Sequence, residues 1–365
     1  MTMTKPIGLY IHIPFCNGKC PYCDFYSVSP ESETVKKYVD ALCREIDKAD
    51  RVYDTVYFGG GTPSLIGSDN IAKILSHIRR TDNCEVTLEC NPSDTGCENS
   101  SFDFSLIKKS GVNRISMGLQ SANDDERKAL GRRGGCDDVE RAIKRAKKAG
   151  IDNISLDLML AIPNQTAESL EKSVEFCKNS GATHISAYIL KIEEGTPFYR
   201  IKNTLTLPDE DETCDLYLKA VSLIEKAGYK QYEISNFSLN GFESRHNLKY
   251  WHCEEYLGIG ASAHSFVNGK RFYCERSIDG FINGNPPVDD GFGGDEEEYI
   301  MLALRLCEGL NFKKYQERFG HALPDISIKK AKELEKHGLV TVADSGISLT
   351  ANGFLVSNSV ISAII

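Results

Sequence analysis

Three cysteines near the start of the chain have the spacing of ligands for a metal cluster. Cys16, Cys20 and Cys23 form a CxxxCxxC pattern directly after the apolar, strand-like run 7–13. Gly18 permits a sharp bend inside the pattern, so the three thiols are expected to face one small concavity. The residue types and their spacing therefore predict a cluster-binding loop at the end of the first strand.

The number of thiols is one short of the common metal sites. A structural zinc site is closed by four ligands, and an electron-transfer [4Fe-4S] cluster is held by four cysteines. Three thiolates on three corners of a cubane leave the fourth iron open to a small molecule, which is the arrangement of a reactive site. The alternatives are three half-buried cysteines at a strand end, or a redox CxxC pair formed by Cys20 and Cys23. The additional thiol of Cys16 disfavours the redox pair.

The CxxxCxxC pattern, with the aromatic Tyr22 beside its last cysteine, resembles the signature of the radical S-adenosylmethionine (SAM) superfamily. The resemblance implies a [4Fe-4S] cluster whose open iron binds the amino and carboxylate groups of SAM. It also implies an electron donor, such as flavodoxin or ferredoxin, because an electron from the reduced cluster cleaves SAM into methionine and a 5′-deoxyadenosyl radical. In such proteins the cofactors carry the chemistry, and the protein binds them, orients them and excludes water.

The composition excludes several classes of protein. The 365 residues carry a net charge of −9, whereas nucleic-acid binding needs a clustered basic face. No stretch approaches the roughly 18 uninterrupted apolar residues of a transmembrane helix. The 13 cysteines are mostly single, which suits a reducing compartment better than secretion. We therefore expect a cytoplasmic protein without nucleic-acid partners. The sequence leaves open whether it is a monomer or a homodimer.

Four similar segments divide the middle of the chain into repeating units. Each has the pattern of a helix end, a glycine and a new strand, at residues 109–116, 148–155, 179–186 and 226–233. The glycines suit left-handed residues that close helices, and the alternation of strands with helices indicates a parallel sheet. The predicted fold class is α/β, a partial or full (β/α) barrel, with a doubly wound open sheet as the alternative.

Polar residues recur where the predicted strands end, which favours the barrel because barrel active sites collect at that edge. By resemblance to the superfamily, the backbone of the glycine-rich turn 59–63 pairs with the SAM amino group, and the polar residues contact ribose, carboxylate and amino group. Ala161 stands where the family usually has a second glycine. Taken singly, each residue also fits a loop, a helix cap or, for Tyr10, barrel packing. The implied SAM contacts are Tyr10, Tyr22, Gly60, Gly61, Thr62, Glu89, Gln120, Arg132 and Asp157.

Later motifs, at residues 194–198, 231–237, 246–251 and 258–264, extend the resemblance over nearly the whole chain to the oxygen-independent coproporphyrinogen oxidase group. The decarboxylating enzymes of that group have a fourth cysteine two residues after the third, and a long N-terminal arm. Here Phe25 occupies that position and the arm is missing, so decarboxylating activity is not favoured. The HNxxYW motif at 246–251 instead resembles the heme-chaperone branch, HemW.

The motif implies a heme site formed by His246, Tyr250 and Trp251, because an imidazole can bind heme iron and flat aromatic rings suit a macrocycle. The alternative is a histidine bonded to backbone beside a buried aromatic pair. His264 either lines the pocket or caps a loop, and the sequence does not select an axial ligand. The implied partners are heme-accepting proteins, among them respiratory ones.

The resemblance and a composition typical of a linker together suggest three parts of the chain: a radical SAM partial barrel over 1–240, a connecting segment over 241–295, and a small C-terminal α+β domain over 296–365. Residues 283–298 are rich in Gly, Pro and Asp and predict an exposed linker. The last part, helices followed by a hairpin, resembles a winged-helix module. Its helix of mixed charge favours a substrate lid or partner docking over DNA binding.

Two functions of different classes follow from the sequence. The first is a heme chaperone that binds a [4Fe-4S] cluster, SAM and heme and delivers heme to acceptor proteins. The alternative is an enzyme, either an oxygen-independent coproporphyrinogen III oxidase or another radical SAM oxidoreductase of tetrapyrrole metabolism. A SAM-binding protein with an unrelated substrate is a third interpretation.

Overall fold

A computed structural model describes residues 5–97 and 99–365, and its main feature is one large twisted sheet. In space its strands follow the order β12-β11-β10-β9-β1-β2-β3-β4-β5-β6-β8-β7. The strands are β1 (Ile7–Ile13), β2 (Val52–Gly60), β3 (Arg79–Cys90), β4 (Arg114–Gln120), β5 (Asn153–Leu160), β6 (His184–Ile189), β7 (Lys230–Gln231), β8 (Asn236–Ser238), β9 (Tyr256–Ile259), β10 (His264–Val267), β11 (Lys270–Tyr273) and β12 (Val288–Phe292).

The strands from β9 through β1 to β6 are parallel. From β1 to β6 their spatial order equals their order in the chain, so every crossover advances in the same direction. A doubly wound sheet would reverse direction at a switch point, so this alternative is excluded. The sheet ends at β7 and β12 without closing, and the predicted partial barrel is confirmed.

Helices connect the parallel strands and cover the sheet. The predicted glycine caps are confirmed, since Gly111, Gly150, Gly181 and Gly228 all have positive φ, between 71° and 114°. The helices are α1 (Ser32–Ala49), α2 (Ser68–Ser76), α3 (Pro92–Thr95), α4 (Phe104–Ser110), α5 (Asp124–Ala129), α6 (Cys136–Lys148), α7 (Ala167–Asn179), α8 (Pro197–Ile201), α9 (Glu210–Lys226), α10 (Arg245–Trp251), α11 (Ile278–Ile282), α12 (Glu296–Ala303), α13 (Phe312–Phe319), α14 (Asp325–Glu335), α15 (Ala351–Leu355) and α16 (Ser357–Ile364).

The fourth repeat does not add a parallel strand. After Gly228 the chain forms only the two-residue strand β7, which pairs antiparallel with β8, and β8 pairs antiparallel with β6. Few residues separate β7 from β8, and a parallel pair would need a crossover of a dozen residues or more. The parallel part of the sheet therefore stops at β6.

The predicted linker 283–298 is also partly wrong. Within it, Val288–Phe292 pairs with β11 as the edge strand of the large sheet, with a register shift near Lys270. Helix α12 then begins at Glu296, where the Asp295 carboxylate accepts a hydrogen bond from the Glu298 amide. An exposed edge strand needs few apolar residues, which explains why its composition resembled that of a linker.

The C-terminal part contains a separate antiparallel sheet. Strands β13 (Leu310–Asn311), β14 (Val340–Ala343) and β15 (Gly346–Leu349) lie in the order β13-β15-β14, and the predicted hairpin is formed by β14 and β15. Main-chain hydrogen bonds join this part to the barrel, since the Cys307 amide donates to the Tyr232 carbonyl at 3.0 Å. None of the helices in the described residues combines the length and apolar character needed to cross a bilayer.

Tyr38 ties α1 to the strand that carries the cluster loop. Its buried hydroxyl donates to the His12 carbonyl at 2.9 Å and accepts from the Ala261 amide at 2.8 Å. The side chain is 0% exposed, so water cannot replace either bond. Loss of the hydroxyl would leave two buried main-chain groups without a partner.

We expect Tyr38→Phe to lower the free energy of unfolding by about 1–3 kcal/mol, because unpaired buried polar groups are costly. Tyr53→Phe is the matched control, since the buried Tyr53 hydroxyl has no hydrogen-bond partner among the described residues. This change should be neutral or stabilising. Urea unfolding of the cluster-free protein measures both variants. Equal losses in the two variants would contradict the role given to Tyr38.

Candidate cluster and ligand site

A cavity of about 640 Å³ lies at the carboxyl ends of the parallel strands. Its volume is in the range of small-molecule sites. The structure brings most of the predicted cluster and SAM residues to its walls. Those present are Cys16, Cys20, Tyr22, Cys23, Gly60, Gly61, Thr62, Glu89, Gln120, Arg132 and Asp157.

The cysteine loop is anchored at its base. The Cys16 amide donates to the Val28 carbonyl at 2.9 Å, and the Val28 amide donates to the Pro14 carbonyl at 2.8 Å. The Thr62 hydroxyl donates to the Cys16 sulfur at 3.6 Å. All three cysteines of the pattern are partly exposed and none is in a disulfide, so their thiols are available as ligands on the cavity wall.

The thiols are arranged for a cluster better than for one ion. Within residues 5–97 and 99–365, no three His, Cys, Asp or Glu side chains converge closely enough to hold a single metal ion. In a cubane each thiolate binds a different iron, so the three sulfurs need not meet at one point. Among the described residues one further cysteine, Cys90, lines this cavity, and its side chain is buried. The three partly exposed thiols therefore fit a cluster with one open iron.

Arg132 lies between the cysteine loop and β4. One guanidinium nitrogen, Nη2, donates to the Gly118 carbonyl at 2.7 Å, and Nη1 donates to the Cys20 sulfur at 3.8 Å. In the described part of the chain, the buried Nε of Arg132 and the buried Oε1 of Gln120 have no hydrogen-bond partner. Unpaired buried polar atoms need an explanation, and in two residues that line a cavity they favour a site for a polar ligand.

Two carboxyl groups, those of Glu89 and Asp157, also line this cavity. Glu89 accepts a hydrogen bond from the Tyr57 hydroxyl at 2.7 Å, and Asp157 accepts one from the Ser116 hydroxyl at 3.3 Å. Burial raises the pKa of the Glu89 carboxyl to about 7 and that of Asp157 to about 6, because the surrounding protein excludes water from the charged form. A bound cation, or hydroxyl groups donating to the carboxylates, would offset this cost.

The glycine-rich turn brings backbone to the cavity where no side chain fits. Gly60 has a φ of 109°, and a Cβ atom there would lie 2.6 Å from the His12 ring. A Cβ atom on Gly61 would lie 2.5 Å from the Phe15 carbonyl oxygen. The close packing of this turn against β1 and the residues that follow it therefore requires glycine at both positions.

The ends of β4 and β5 have unusual backbone conformations. Gln120 has a φ of 62° and Ala161 a φ of 55°, in the left-handed region that side chains other than glycine rarely adopt. The family's glycine near Ala161 is explained by this conformation. Such strained residues cluster at functional sites, and here they lie at the two strand ends that face the cavity.

A second cavity, of about 410 Å³, adjoins the first. The two share Asp24 and Phe25 as common wall residues. Tyr10, which the resemblance placed over SAM, lines this second cavity and is not among the residues lining the first. Its hydroxyl bonds to Nδ1 of His12 at 3.1 Å.

The HNxxYW motif forms α10, and its histidine is sealed inside the protein. Nδ1 of His246 bonds to the Thr55 hydroxyl at 2.8 Å, and Nε2 bonds to the Tyr250 hydroxyl at 2.8 Å. Burial lowers the pKa of His246 to about 3. A bond from either nitrogen to iron would require the loss of one hydrogen bond. Tyr250 lines the second cavity, whereas His246 and Trp251 line neither.

Sequence reasoning missed the contribution of β6 and the segments that follow it. Ser186, Tyr188, Lys191 and Asn236 also line the first cavity. The alternation in β6 was a usable signal, because Ser186 and Tyr188 are two residues apart and therefore lie on the same face of the strand.

Comparisons with known protein families agree with this geometry. The radical SAM superfamily matches residues 10–177, and the HemN C-terminal domain matches residues 296–356. The first match begins inside β1 and contains all three cysteines of the pattern. The second covers the small antiparallel sheet and the helices around it.

Full-length relatives are found among proteins named heme chaperone HemW. The Bacillus subtilis protein is 36% identical, with 97% of this chain and 98% of the relative covered. The Escherichia coli protein is 32% identical, with 99% and 98% covered. The solved structure of E. coli coproporphyrinogen III oxidase (HemN), a radical SAM enzyme, superposes with a TM-score of 0.82 at 20% identity, covering 98% of this chain and 90% of that one. This structural likeness shows the fold.

The raised pKa of Glu89 predicts a pH-dependent stability of the ligand-free protein. Below its ordinary value of 4.5 the carboxyl is protonated in both states, and between about 4.5 and about 7 it stays protonated only when folded. Stability associated with Glu89 is therefore present at low pH and lost as pH rises through about 7. We expect Glu89→Gln to remove this loss, worth roughly 1–3 kcal/mol.

Unfolding free energies of the wild type and Glu89→Gln, measured on cluster-free protein over this pH range, test the prediction. The exposed Glu171, on α7, provides the control variant Glu171→Gln, whose difference from wild type should not depend on pH in this way. A pH-independent difference between wild type and Glu89→Gln would show that the pKa of Glu89 is the same in the folded and unfolded protein, which would contradict the prediction.

Proposed function

Because this chain belongs to the HemW family of heme chaperones within the radical SAM superfamily, we propose that it binds a [4Fe-4S] cluster, SAM and heme and delivers heme to acceptor proteins. The observation that carries the cofactor part of the proposal is the shared cavity. Three free thiols line the same cavity as Arg132 and Gln120, and in the described residues each of these two side chains has a buried polar atom without a hydrogen-bond partner. Such a cavity suits a cluster and a polar ligand side by side.

Cys16, Cys20 and Cys23 would hold the cluster, which when reduced supplies the electron that cleaves SAM. The chain's own groups bind and orient the ligand. Arg132, beside the Cys20 sulfur, offers positive charge to a carboxylate. Its guanidinium is fixed by the Gly118 carbonyl at 2.7 Å, so little side-chain entropy is lost on binding.

Glu89 and Asp157 provide the complementary acceptors. Carboxylates suit ribose hydroxyls and an ammonium group, and a bound ammonium favours their charged forms. The Gly60, Gly61 and Thr62 backbone and Gln120 would complete the amino-acid end of SAM, with Tyr22 beside the cluster. Tyr10 lines the second cavity and would contact SAM from that side, where the two cavities adjoin.

The alternative function is oxidative decarboxylation of coproporphyrinogen III, as in the enzyme whose fold this chain shares. In place of a fourth cysteine the chain has Phe25, whose side chain is 67% exposed and cannot bind iron.

The proposed protein has three parts: a partial barrel over 1–240, a connecting segment over 241–295 and a C-terminal domain over 296–365. The C-terminal domain would dock the acceptor protein or cover the site. The protein would work in the reducing cytoplasm, with a flavodoxin or ferredoxin as its electron donor.

A parallel assay separates the two functions. We expect anaerobically reconstituted protein to bind heme and to pass it to a heme-free acceptor hemoprotein. With SAM, reductant and coproporphyrinogen III we expect no protoporphyrinogen. Turnover of the porphyrinogen would overturn the chaperone proposal, and failure to bind heme would do so as well.

The triple variant Cys16→Ser, Cys20→Ser, Cys23→Ser should lose its iron, its sulfide and its SAM binding. Cys97, Cys136 and Cys214 are also partly exposed, so the triple serine variant at those positions is the matched control and should retain all three. Chemical analysis of iron and sulfide, with calorimetry for SAM, measures the outcome. Full retention of iron in the first variant would remove the basis of the cofactor assignment.

We further expect Arg132→Gln to weaken SAM binding about 10–100-fold, because a charge-assisted contact to the carboxylate is lost. Iron and sulfide content should stay near the wild-type level, since the three thiols remain. Lys128→Gln, which removes a lysine whose side chain is 77% exposed on α5, is the control for net charge. Unchanged SAM affinity in a cluster-loaded Arg132→Gln protein would exclude Arg132 as a SAM contact.

A further inference from the structure

The second cavity has walls suited to a flat, anionic aromatic molecule. Tyr26, Tyr250 and Tyr256 line it, and Phe25 lies exposed at its mouth. The rings of Tyr250 and Tyr256 are packed edge to face with centroids 4.5 Å apart. Aromatic walls of this kind offer a macrocycle large apolar contact.

The cavity also offers positive charge. Arg276 lines it, with its guanidinium 5.8 Å from the centre of the Tyr26 ring and one nitrogen donating to the Asp24 carbonyl at 3.0 Å. That bond occupies one of five N–H donors, and a guanidinium pairs well with a carboxylate. A planar ligand with carboxylate side groups therefore matches both kinds of wall.

Of the histidines around this cavity, His264 alone has two ring nitrogens without a hydrogen bond to any described residue. Both nitrogens of His12 are engaged, with the Tyr10 hydroxyl at 3.1 Å and the Tyr26 carbonyl at 3.2 Å. His246 is likewise engaged on both sides, by Thr55 and Tyr250. Within the described residues, the ring nitrogens of His264 make no hydrogen bond, and this exposed side chain lines the cavity.

Resting on the proposed function, we propose that heme binds in this second cavity with His264 as the protein ligand to iron. Tyr26, Tyr250 and Tyr256 contact the macrocycle, and Arg276 pairs with a propionate. His246 is a positioning residue that acts through Tyr250. It does not bind iron.

The position of His264 supports this assignment. It is the first residue of β10, and its ring stacks on Tyr273 of the neighbouring strand at 5.2 Å, which limits its freedom. Two residues earlier, Ser262 has a φ of 73°, a strained conformation at the cavity rim. An imidazole held on a strand end is a better-defined ligand than one on a mobile loop.

The role of His246 follows from its bonds. It connects the Thr55 hydroxyl on β2 to the Tyr250 hydroxyl, and it stacks on Tyr57 with centroids 5.3 Å apart. Burial keeps the imidazole neutral by lowering its pKa, so one nitrogen donates and the other accepts. This arrangement fixes the position of the Tyr250 ring on the cavity wall. The motif would therefore support heme binding by positioning Tyr250.

The openness of the cavity suits a ligand that must leave again. At about 410 Å³ it lies near the lower end of the range for small-molecule sites, so a macrocycle would remain partly exposed. His264, Phe25 and Arg276 all lie on the exposed side. An acceptor protein could therefore reach the heme before the imidazole has released it.

The test uses the full chain with its cluster, loaded with ferric heme, and compares His264→Gly with His246→Gln. Resonance Raman and electron paramagnetic resonance spectra report the iron ligand separately from the iron–sulfur cluster. We expect His264→Gly to lose the imidazole-ligated signal and about tenfold or more in heme affinity. Added imidazole should restore the signal, because free imidazole can take the place of the missing His264 side chain as a ligand to iron.

His246→Gln should keep the imidazole-ligated signal with a several-fold weaker affinity, because only Tyr250 is displaced. His337→Ala, a change at an exposed histidine on the C-terminal part, should match the wild type. An unchanged ligand signal in His264→Gly, or its loss in His246→Gln alone, would overturn the assignment of His264. Iron and sulfide content of each variant shows that the cluster and fold are intact.

Absence of heme binding by the wild type would be a different result. It would remove the proposed function itself, together with any ligand assignment. Heme binding by the wild type with an unchanged His264→Gly spectrum would remove only the present inference. The two failures are therefore distinguishable in the same set of spectra.

Discussion

The structure depends on β1 being held on both sides. All seven of its residues pair in parallel with β2 on one edge, and residues 8–11 also pair in parallel with β9 on the other. The strand therefore cannot shift without breaking two sets of main-chain bonds. The cysteine loop starts where this pairing ends. The Gly61 amide donates to the Ile13 carbonyl at 2.9 Å, and the Thr62 amide to the Phe15 carbonyl at 2.7 Å. The loop is therefore fixed at its base, while its thiols stay accessible.

The sequence predicted those features of the fold that depend on interactions between residues close together in the chain. The helix-closing glycines such as Gly111 and the strand-end residues such as Glu89 and Asp157 were predictable, because a left-handed cap and the common edge of a parallel sheet follow from nearby sequence. Three other features were not predictable: the hairpin of β7 and β8, the edge strand at 288–292, and the position of Tyr10 in the second cavity. Each depends on pairing or packing with residues distant in the chain.

The site also shows why residue type alone does not assign chemistry. His12, His246 and His264 all carry imidazoles near the second cavity, and the motif in the sequence pointed to His246 as the heme-binding one. In the fold, the first two are buried and have both nitrogens bonded, and the third is exposed. The same holds for Glu89, whose pKa of about 7 reflects burial that no local pattern indicates. Tertiary surroundings decide which groups can react.

The two ends of the large sheet have a consequence for how the protein behaves at high concentration. A free strand edge can recruit an edge of another molecule and start aggregation. Here one end is β7, only two residues long, and the other is β12, with a register irregularity and the exposed acids Asp289 and Asp290. Their charges repel a second copy of the same edge. An open barrel can thus remain unclosed without becoming a template for intermolecular sheets.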